Sequence, residues 1–206
     1  QSLLTFNHKK ILWQTRLRLL IKNKKFESAL VYFNAIPIGS FTILERKMFE
    51  ADASEIVYGL VEEKYKKGEY SEVIKLWRNY KDSILSLFPF DTELNYYVAK
   101  SFLALRMYSG LDELLVEFEQ TKNIPHKSFP LWISRENINK TRVFYDLKMA
   151  RYIDGQDWNS LSAMLLEHKD IFSDKSYLYE GYLRFSKGDY LGAISSYESF
   201  LLNASE

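Results

Sequence analysis

The chain of 206 residues contains no cysteine, only 4 prolines and 8 glycines, and no apolar run long enough to cross a membrane. Without cysteine it can form no disulfide, thiolate metal site, iron–sulfur cluster or thiol nucleophile. An excess of one charge is also missing, because 28 Lys and Arg residues stand against 27 Asp and Glu residues. The net charge of +1 gives no overall attraction to nucleic acid, an anionic membrane or an acidic substrate.

Motifs that carry catalysis are missing as well. The sequence has no phosphate-binding glycine loop, no nucleophile elbow and no histidine pair with metal-binding spacing, since His8, His126 and His168 are dispersed. The acidic pair Glu62-Glu63 would diverge by about 100° around a helix, which suits a solvated face better than acid–base chemistry. We therefore predict no enzyme activity, no cofactor and no metal site.

Glycine and proline divide the chain into segments of about 12 to 25 residues with helical periodicity. Gly68, Gly110, Gly155 and Gly188 are interpreted as turns between helices. Residues 69–87 give the clearest amphipathic pattern, because apolar residues recur there at steps of three and four. They are Tyr70, Val73, Ile74, Trp77, Tyr80 and Ile84. The prediction is an all-α fold.

The segments predict ten helices that form five antiparallel pairs. Residues 37–54 allow either a separate short helix or the start of a long one, and residues 122–133 are predicted to be the longest loop. The five pairs are 8–22 with 26–36, 42–67 with 70–87, 91–108 with 110–121, 134–154 with 157–171, and 175–186 with 189–203.

The second helices of the pairs begin alike. Each has an apolar anchor near its start, an aromatic residue three positions earlier in four of the five, and a large apolar residue four positions later. A helix pair cannot bury such a stripe alone, so stacked pairs would complete the core. The anchors are Ala29, Val73, Leu114, Leu161 and Ala193, and the large residues are Phe33, Trp77, Phe118, Leu165 and Tyr197.

The last pair resembles the tetratricopeptide-repeat family at Tyr177, Gly181, Tyr190, Ala193 and Tyr197. The resemblance implies a right-handed α-solenoid, a superhelix of antiparallel helix pairs, that spans residues 1–206 as one domain. It weakens toward the N-terminus, where the anchors are 44, 41 and 47 residues apart, against a family period of about 34. A helical-hairpin solenoid outside the family is the alternative. The chain, which starts at Gln1, is interpreted as a fragment of a longer protein.

The resemblance also implies that the first helix of each pair lines a concave groove for a partner protein. Tyr and Arg suit such a surface because they combine contact area with directed hydrogen bonds. The hypothesis requires Tyr58, Tyr65 and Arg106 to be exposed on one face. Of all the groove candidates, about half are expected to be buried between helix pairs. The candidates are Gln14, Arg18, Lys22, Tyr58, Glu62, Tyr65, Tyr96, Leu103, Arg106, Arg142, Asp146, Ile153, Leu178, Tyr182 and Phe185. The basic and asparagine set with which some family members clamp an acidic C-terminus is not reproduced.

Charge is distributed unevenly along the chain. Residues 1–25 contain seven basic residues and no acidic one, whereas residues 154–206 contain nine acidic and four basic residues. The basic end could attract an acidic protein partner, the two ends could meet in self-association or contacts with other domains, or both could be solvated faces. Nucleic acid is disfavoured because no aromatic platform accompanies the basic residues.

The sequence thus predicts a non-catalytic scaffold that binds a partner segment in its groove. The alternatives are a structural assembly module of a bacterial envelope or motility complex that acts through end-to-end contacts, and a sensor of a small peptide. The absence of cysteine is compatible with the cytoplasm and with a bacterial periplasm.

Overall fold

The computed structural model describes residues 5–82, 92–121, 140–173 and 175–203, and every regular element within these ranges is helical. The predicted all-α class is therefore confirmed, with ten α-helices and one short 3₁₀ helix, Ile38–Ser40, in the described ranges. The α-helices are α1 Phe6–Lys22, α2 Phe26–Asn34, α3 Ile43–Lys66, α4 Tyr70–Tyr80, α5 Thr92–Ala104, α6 Tyr108–Thr121, α7 Lys140–Asp154, α8 Trp158–Glu167, α9 Ser176–Ser186 and α10 Tyr190–Asn203.

The region 37–54 contains both predicted alternatives. The short 3₁₀ helix comes first, and Thr42 then caps the 24-residue α3 through a capping box with Glu45. Three helices end well before their predicted last residues, since α4 stops at Tyr80, α5 at Ala104 and α8 at Glu167. Residues 83–87 of the predicted fourth helix and 134–139 of the predicted seventh lie outside the described residues. The predicted loop 122–133 lies outside the described residues.

The chain packs into two compact units, residues 1–138 and 139–206, where the sequence predicted one array. In the first unit α1 contacts α2 and α3, α3 also contacts α2, α4 and α5, and α5 contacts α4 and α6. In the second unit α7 contacts α8, α8 contacts α9, and α9 contacts α10. The second helices α2, α4 and α8 thus pack both on their own first helix and on the next one.

Five joints between paired helices have the same geometry. At each joint one residue has positive φ, its N–H donates to the carbonyl three residues back, and the next N–H donates to the carbonyl five residues back. At Gly68 these two bonds, to Tyr65 and from Glu69 to Lys64, are both 2.9 Å long. This is the Schellman ending of a helix. The positive-φ residues are Lys24, Gly68, Arg106, Gln156 and Gly188.

The common joint fixes the register of the second helices. Two residues after the positive-φ residue each second helix begins with an aromatic residue, and five residues after it comes an anchor that is at most 1% exposed. The prediction was wrong for the third pair, whose anchor is Leu111 and not Leu114. Gly110 does not form the turn: it lies inside α6, where a Cβ would overlap the buried ring of Phe102.

The positive-φ positions give a reciprocal stability test in the first unit. The left-handed conformation costs a residue with a Cβ about 1 kcal/mol, a cost that glycine avoids. Arg106→Gly is therefore expected to raise the free energy of unfolding by up to about 1 kcal/mol, and Gly68→Arg to lower it by a similar amount. Urea denaturation measures both changes, and shifts of the same sign would contradict the shared joint.

The second unit has a buried apolar core and a close contact between its last two helices, α9 and α10. Phe144, Met149 and Phe172 are fully buried, and Gly181 in α9 lies against the ring of Tyr197 in α10. A Cβ at Gly181 would overlap that ring, so the glycine permits the close approach of the two helices.

Candidate protein-binding face

The first candidate surface lies between α1 and α3, the first helices of the first two pairs. Arg18 and Lys22 of α1 are exposed and line a pocket of about 500 Å³ with Ile21, Asp52 and Glu55. The Arg18 guanidinium Nε lies 3.4 Å from Asp52 Oδ1. Two of the candidates on α1 therefore border an open, charged pocket.

Asp52 is a buried carboxylate at the edge of this pocket. It is 1% exposed, and its Oδ2 has no hydrogen-bond partner among the residues that the structure places. Burial raises the pKa of the Asp52 carboxyl to about 6, against the lowering effect of the Arg18 guanidinium. Desolvation of the carboxylate therefore outweighs its ion pair, and Asp52 is held at a cost.

A second pocket, of about 290 Å³, lies farther along the same two helices. It is bordered by the exposed side chains of Ile11 and Met48, and the buried Phe49 also lines it. Lys10 Nζ of α1 donates to both carboxylate oxygens of Glu45 of α3, at 2.9 and 3.0 Å. The candidate Gln14 also lines this pocket, which offers apolar contact beside the charged one.

The second candidate surface is a cluster of tyrosines on α3, α4 and α5. Ring centroids are 4.8 Å apart for Tyr65 and Tyr97, 5.8 Å for Tyr65 and Tyr70, and 6.4 Å for Tyr58 and Tyr97. Tyr96 stands 6.1 Å from Tyr97. All five are half-buried, so each ring packs between helices and keeps an edge at the surface.

Carboxylates border the tyrosine cluster. The Tyr97 hydroxyl donates to Glu93 Oε1 at 3.0 Å, and burial together with this bond raises the pKa of the phenol. The candidate Glu62 pairs with Lys66 one turn along α3, and Lys100 Nζ lies 5.7 Å from the Tyr96 ring centroid. The cluster is thus a partly packed aromatic surface with hydroxyl and carboxylate groups at its rim.

Arg106 does not belong to this surface. The prediction placed it on the first helix of the third pair, but α5 ends at Ala104 and Arg106 occupies the following turn with a φ of 54°. It is exposed, whereas Tyr58 and Tyr65 are half-buried in the cluster. The three residues therefore do not form the single exposed face that the hypothesis required.

In the second unit the candidates stabilise the packing of helices. Asp146 of α7 accepts hydrogen bonds from Lys175 Nζ at 2.8 Å and the Tyr179 hydroxyl at 3.2 Å, and Arg142 Nε lies 3.4 Å from it. Tyr182 packs edge-to-face on Tyr197 with the centroids 5.9 Å apart. These candidates are half-buried, because their side chains pack within the second unit. Most of the exposed candidates therefore lie in the first unit: Arg18, Lys22 and Arg106.

The other candidates lie on first helices. Leu103 is half-buried at the end of α5, Ile153 is half-buried near the end of α7, and on α9 Leu178 is half-buried and Phe185 is 56% exposed. Among the residues that the structure describes, no cluster of three His, Asp or Glu side chains could hold a metal ion. No described helix is both long and apolar enough to cross a membrane.

Sequence reasoning missed Asp52 and Tyr97. Asp52 interrupts a buried stripe that includes Phe49, Ala53 and Ile56, and a lone acid on an apolar helix face was the available signal.

The chain was compared with known proteins by sequence and by structure. No protein-family model, no curated protein and no solved structure matches it.

Proposed function

We propose that this chain is a non-catalytic protein-binding scaffold, a tetratricopeptide-like α-solenoid in which α1, α3 and α5 present a face to a partner segment. Two observations support the solenoid. All five helix pairs share one joint, and within each unit second helices pack on the next first helix. Repetition of one joint and one packing contact is the construction principle of solenoids.

The observation that carries the binding role is Asp52 in the pocket between α1 and α3. A buried carboxylate with a raised pKa lowers stability, and residues that cost stability concentrate at functional sites. The pocket beside it is charged at Arg18 and Lys22, and the neighbouring one is apolar at Ile11 and Met48. A peptide segment that carries both apolar and charged side chains fits these two neighbouring pockets.

Site-specific photo-crosslinking tests the proposal. A benzoylphenylalanine at Lys22 is expected to capture a partner in the cells that make the protein, whereas the same group at Lys75, an exposed residue on the second helix α4, captures none. The purified partner then gives the quantitative test by calorimetry. Lys22→Glu should weaken binding at least about tenfold and Lys75→Glu should leave it unchanged. Equal crosslinking at Lys22 and Lys75 would contradict the proposed binding face. An unchanged affinity of the Lys22→Glu variant for the partner would contradict it as well.

A further inference from the structure

The outer surface of α10 is unusually apolar. Leu191 is 82% exposed, Ile194 is 53% exposed and Leu202 is 72% exposed. With Glu198 they follow one another at steps of three and four residues, so they share one side of the helix. We call these four residues the α10 face. Exposed apolar patches of this kind mark interaction sites.

The common packing of the repeats does not require the two exposed leucines of this face. Leu191 stands two residues before the anchor Ala193. The first four pairs have polar residues at that position, and the position of Leu202 is occupied in α6 by exposed Gln120. The corresponding residues to Leu191 are Glu27, Ser71, Ser109 and Asn159. The position of Ile194 is different, because its counterparts Leu30 and Ile74 are half-buried and buried, respectively. Exposed apolar residues at the solvated positions of Leu191 and Leu202 indicate a contact that the other second helices do not make.

A surface of opposite charge that also exposes apolar side chains lies on α1. Leu12 is 52% and Leu19 is 54% exposed, and they are seven residues apart with exposed Arg16 between them on the same side of the helix. We call these three residues the α1 face. Helix α1 has five basic residues and no acidic one, whereas Glu198 is the only charged residue in α10. The α10 face therefore combines three apolar residues with one acidic residue, and the α1 face combines two apolar residues with one basic residue.

We propose that the α10 face of one copy of this chain docks on the α1 face of a second copy. Apolar side chains would cover one another and Glu198 would pair with Arg16. Charge disfavours the two homotypic alternatives, because α10 on α10 brings two Glu198 carboxylates into an apolar contact and α1 on α1 brings basic residues together. Because the two faces differ, the contact is heterologous and can repeat from copy to copy. It goes beyond the proposed partner-binding face and uses none of its pockets.

Complementation of two defective variants tests this contact in the full chain. The first variant carries Leu191→Lys and Leu202→Lys, and the second carries Leu12→Lys and Leu19→Lys. The control is Val116→Lys on α6, where Val116 is 57% exposed. Sedimentation velocity from about 5 to about 200 µM suits a small helix–helix contact, which is expected to be weak. Circular dichroism first establishes that all variants are equally helical.

The unmodified chain and the control are expected to form dimers and larger species with rising concentration. Each defective variant alone should be monomeric, with association weakened at least about tenfold, and the mixture of the two should form a one-to-one dimer because each supplies one intact face. Arg16→Glu combined with Glu198→Arg should restore association that either change alone removes. A monomeric unmodified chain overturns the proposal. So does self-association of the Leu12→Lys, Leu19→Lys variant, which would indicate homotypic pairing of α10.

Discussion

At pH 7 the variant Asp52→Asn is expected to be more stable than the unmodified chain. Its free energy of unfolding should be greater by about 1 to 3 kcal/mol. Burial raises the pKa of Asp52 from 3.8 to about 6, so the folded chain retains a proton that the unfolded chain has lost between these two values. Stability conferred by the protonated group is therefore lost as the pH rises from about 4 to about 6. Asparagine has no charge to bury and removes both this loss and its pH dependence.

Native-state hydrogen exchange of peptides from α1 and α3, measured from about pH 2 to about pH 8, reports local stability in the two helices that hold Asp52 and Arg18. The Asp52 contribution should decline across the acidic window in the unmodified chain and be absent in the variant. Glu45→Gln provides a control of opposite sign, because the Thr42 backbone N–H and the Lys10 ammonium lower the pKa of Glu45 to about 2. Its contribution is present above about pH 4.5 and is lost as the pH falls toward 2.

Arg18→Gln should have the reverse effect of Asp52→Asn. Without the guanidinium, the pKa of Asp52 rises further and the cost of its charge at neutral pH increases. The loss of stability should be larger at pH 8 than at pH 5. Should Asp52→Asn prove less stable than the unmodified chain at pH 7, the pair with Arg18 would outweigh burial and the binding argument from Asp52 would fall with it.

The helical part of the fold could be predicted because its signals are local. Scarce glycine and proline, and apolar steps of three and four residues, predicted the ten helices. The predicted register of the third pair is wrong by three residues, because the turn lies at Arg106 and not at Gly110. A Schellman ending prefers glycine but does not require it, and Arg106 adopts the same left-handed conformation at a cost of about 1 kcal/mol. A cost of that size is easily compensated by packing, so composition alone could not locate the joint.

The candidate surface was less predictable because it depends on contacts between helices. Counting along α5 selected Tyr96, but its neighbour Tyr97 points about 100° away around the helix and makes the central contacts with Tyr58 and Tyr65. Asp146 was selected by the same count and bonds to Lys175 and Tyr179 of its own unit. Helix position gives a direction for a side chain, and only the packed neighbours determine whether that direction is open.

Phe102→Ala is expected to lower the free energy of unfolding of the first unit by about 3 to 5 kcal/mol, the largest effect of any substitution considered. The ring is fully buried, packs edge-to-face on Trp77 with the centroids 5.8 Å apart, and lies against Gly110. Alanine would leave a cavity that rigid helices fill only in part. Urea denaturation measures the loss, and Leu105→Ala, at a side chain 41% exposed, should change stability by less than about 0.5 kcal/mol.

The same site tests the register of the third pair through a change of sign. In the unmodified chain Gly110→Ala should destabilise, because its Cβ would overlap the Phe102 ring. In the Phe102→Ala background the ring is gone, and alanine should instead stabilise α6 by about 1 kcal/mol through its higher helix propensity. Such coupling requires direct contact between the two positions. Additive effects would mean that Gly110 does not face Phe102 inside α6, and the anchor of this pair would then have to be reassigned from Leu111 toward Leu114.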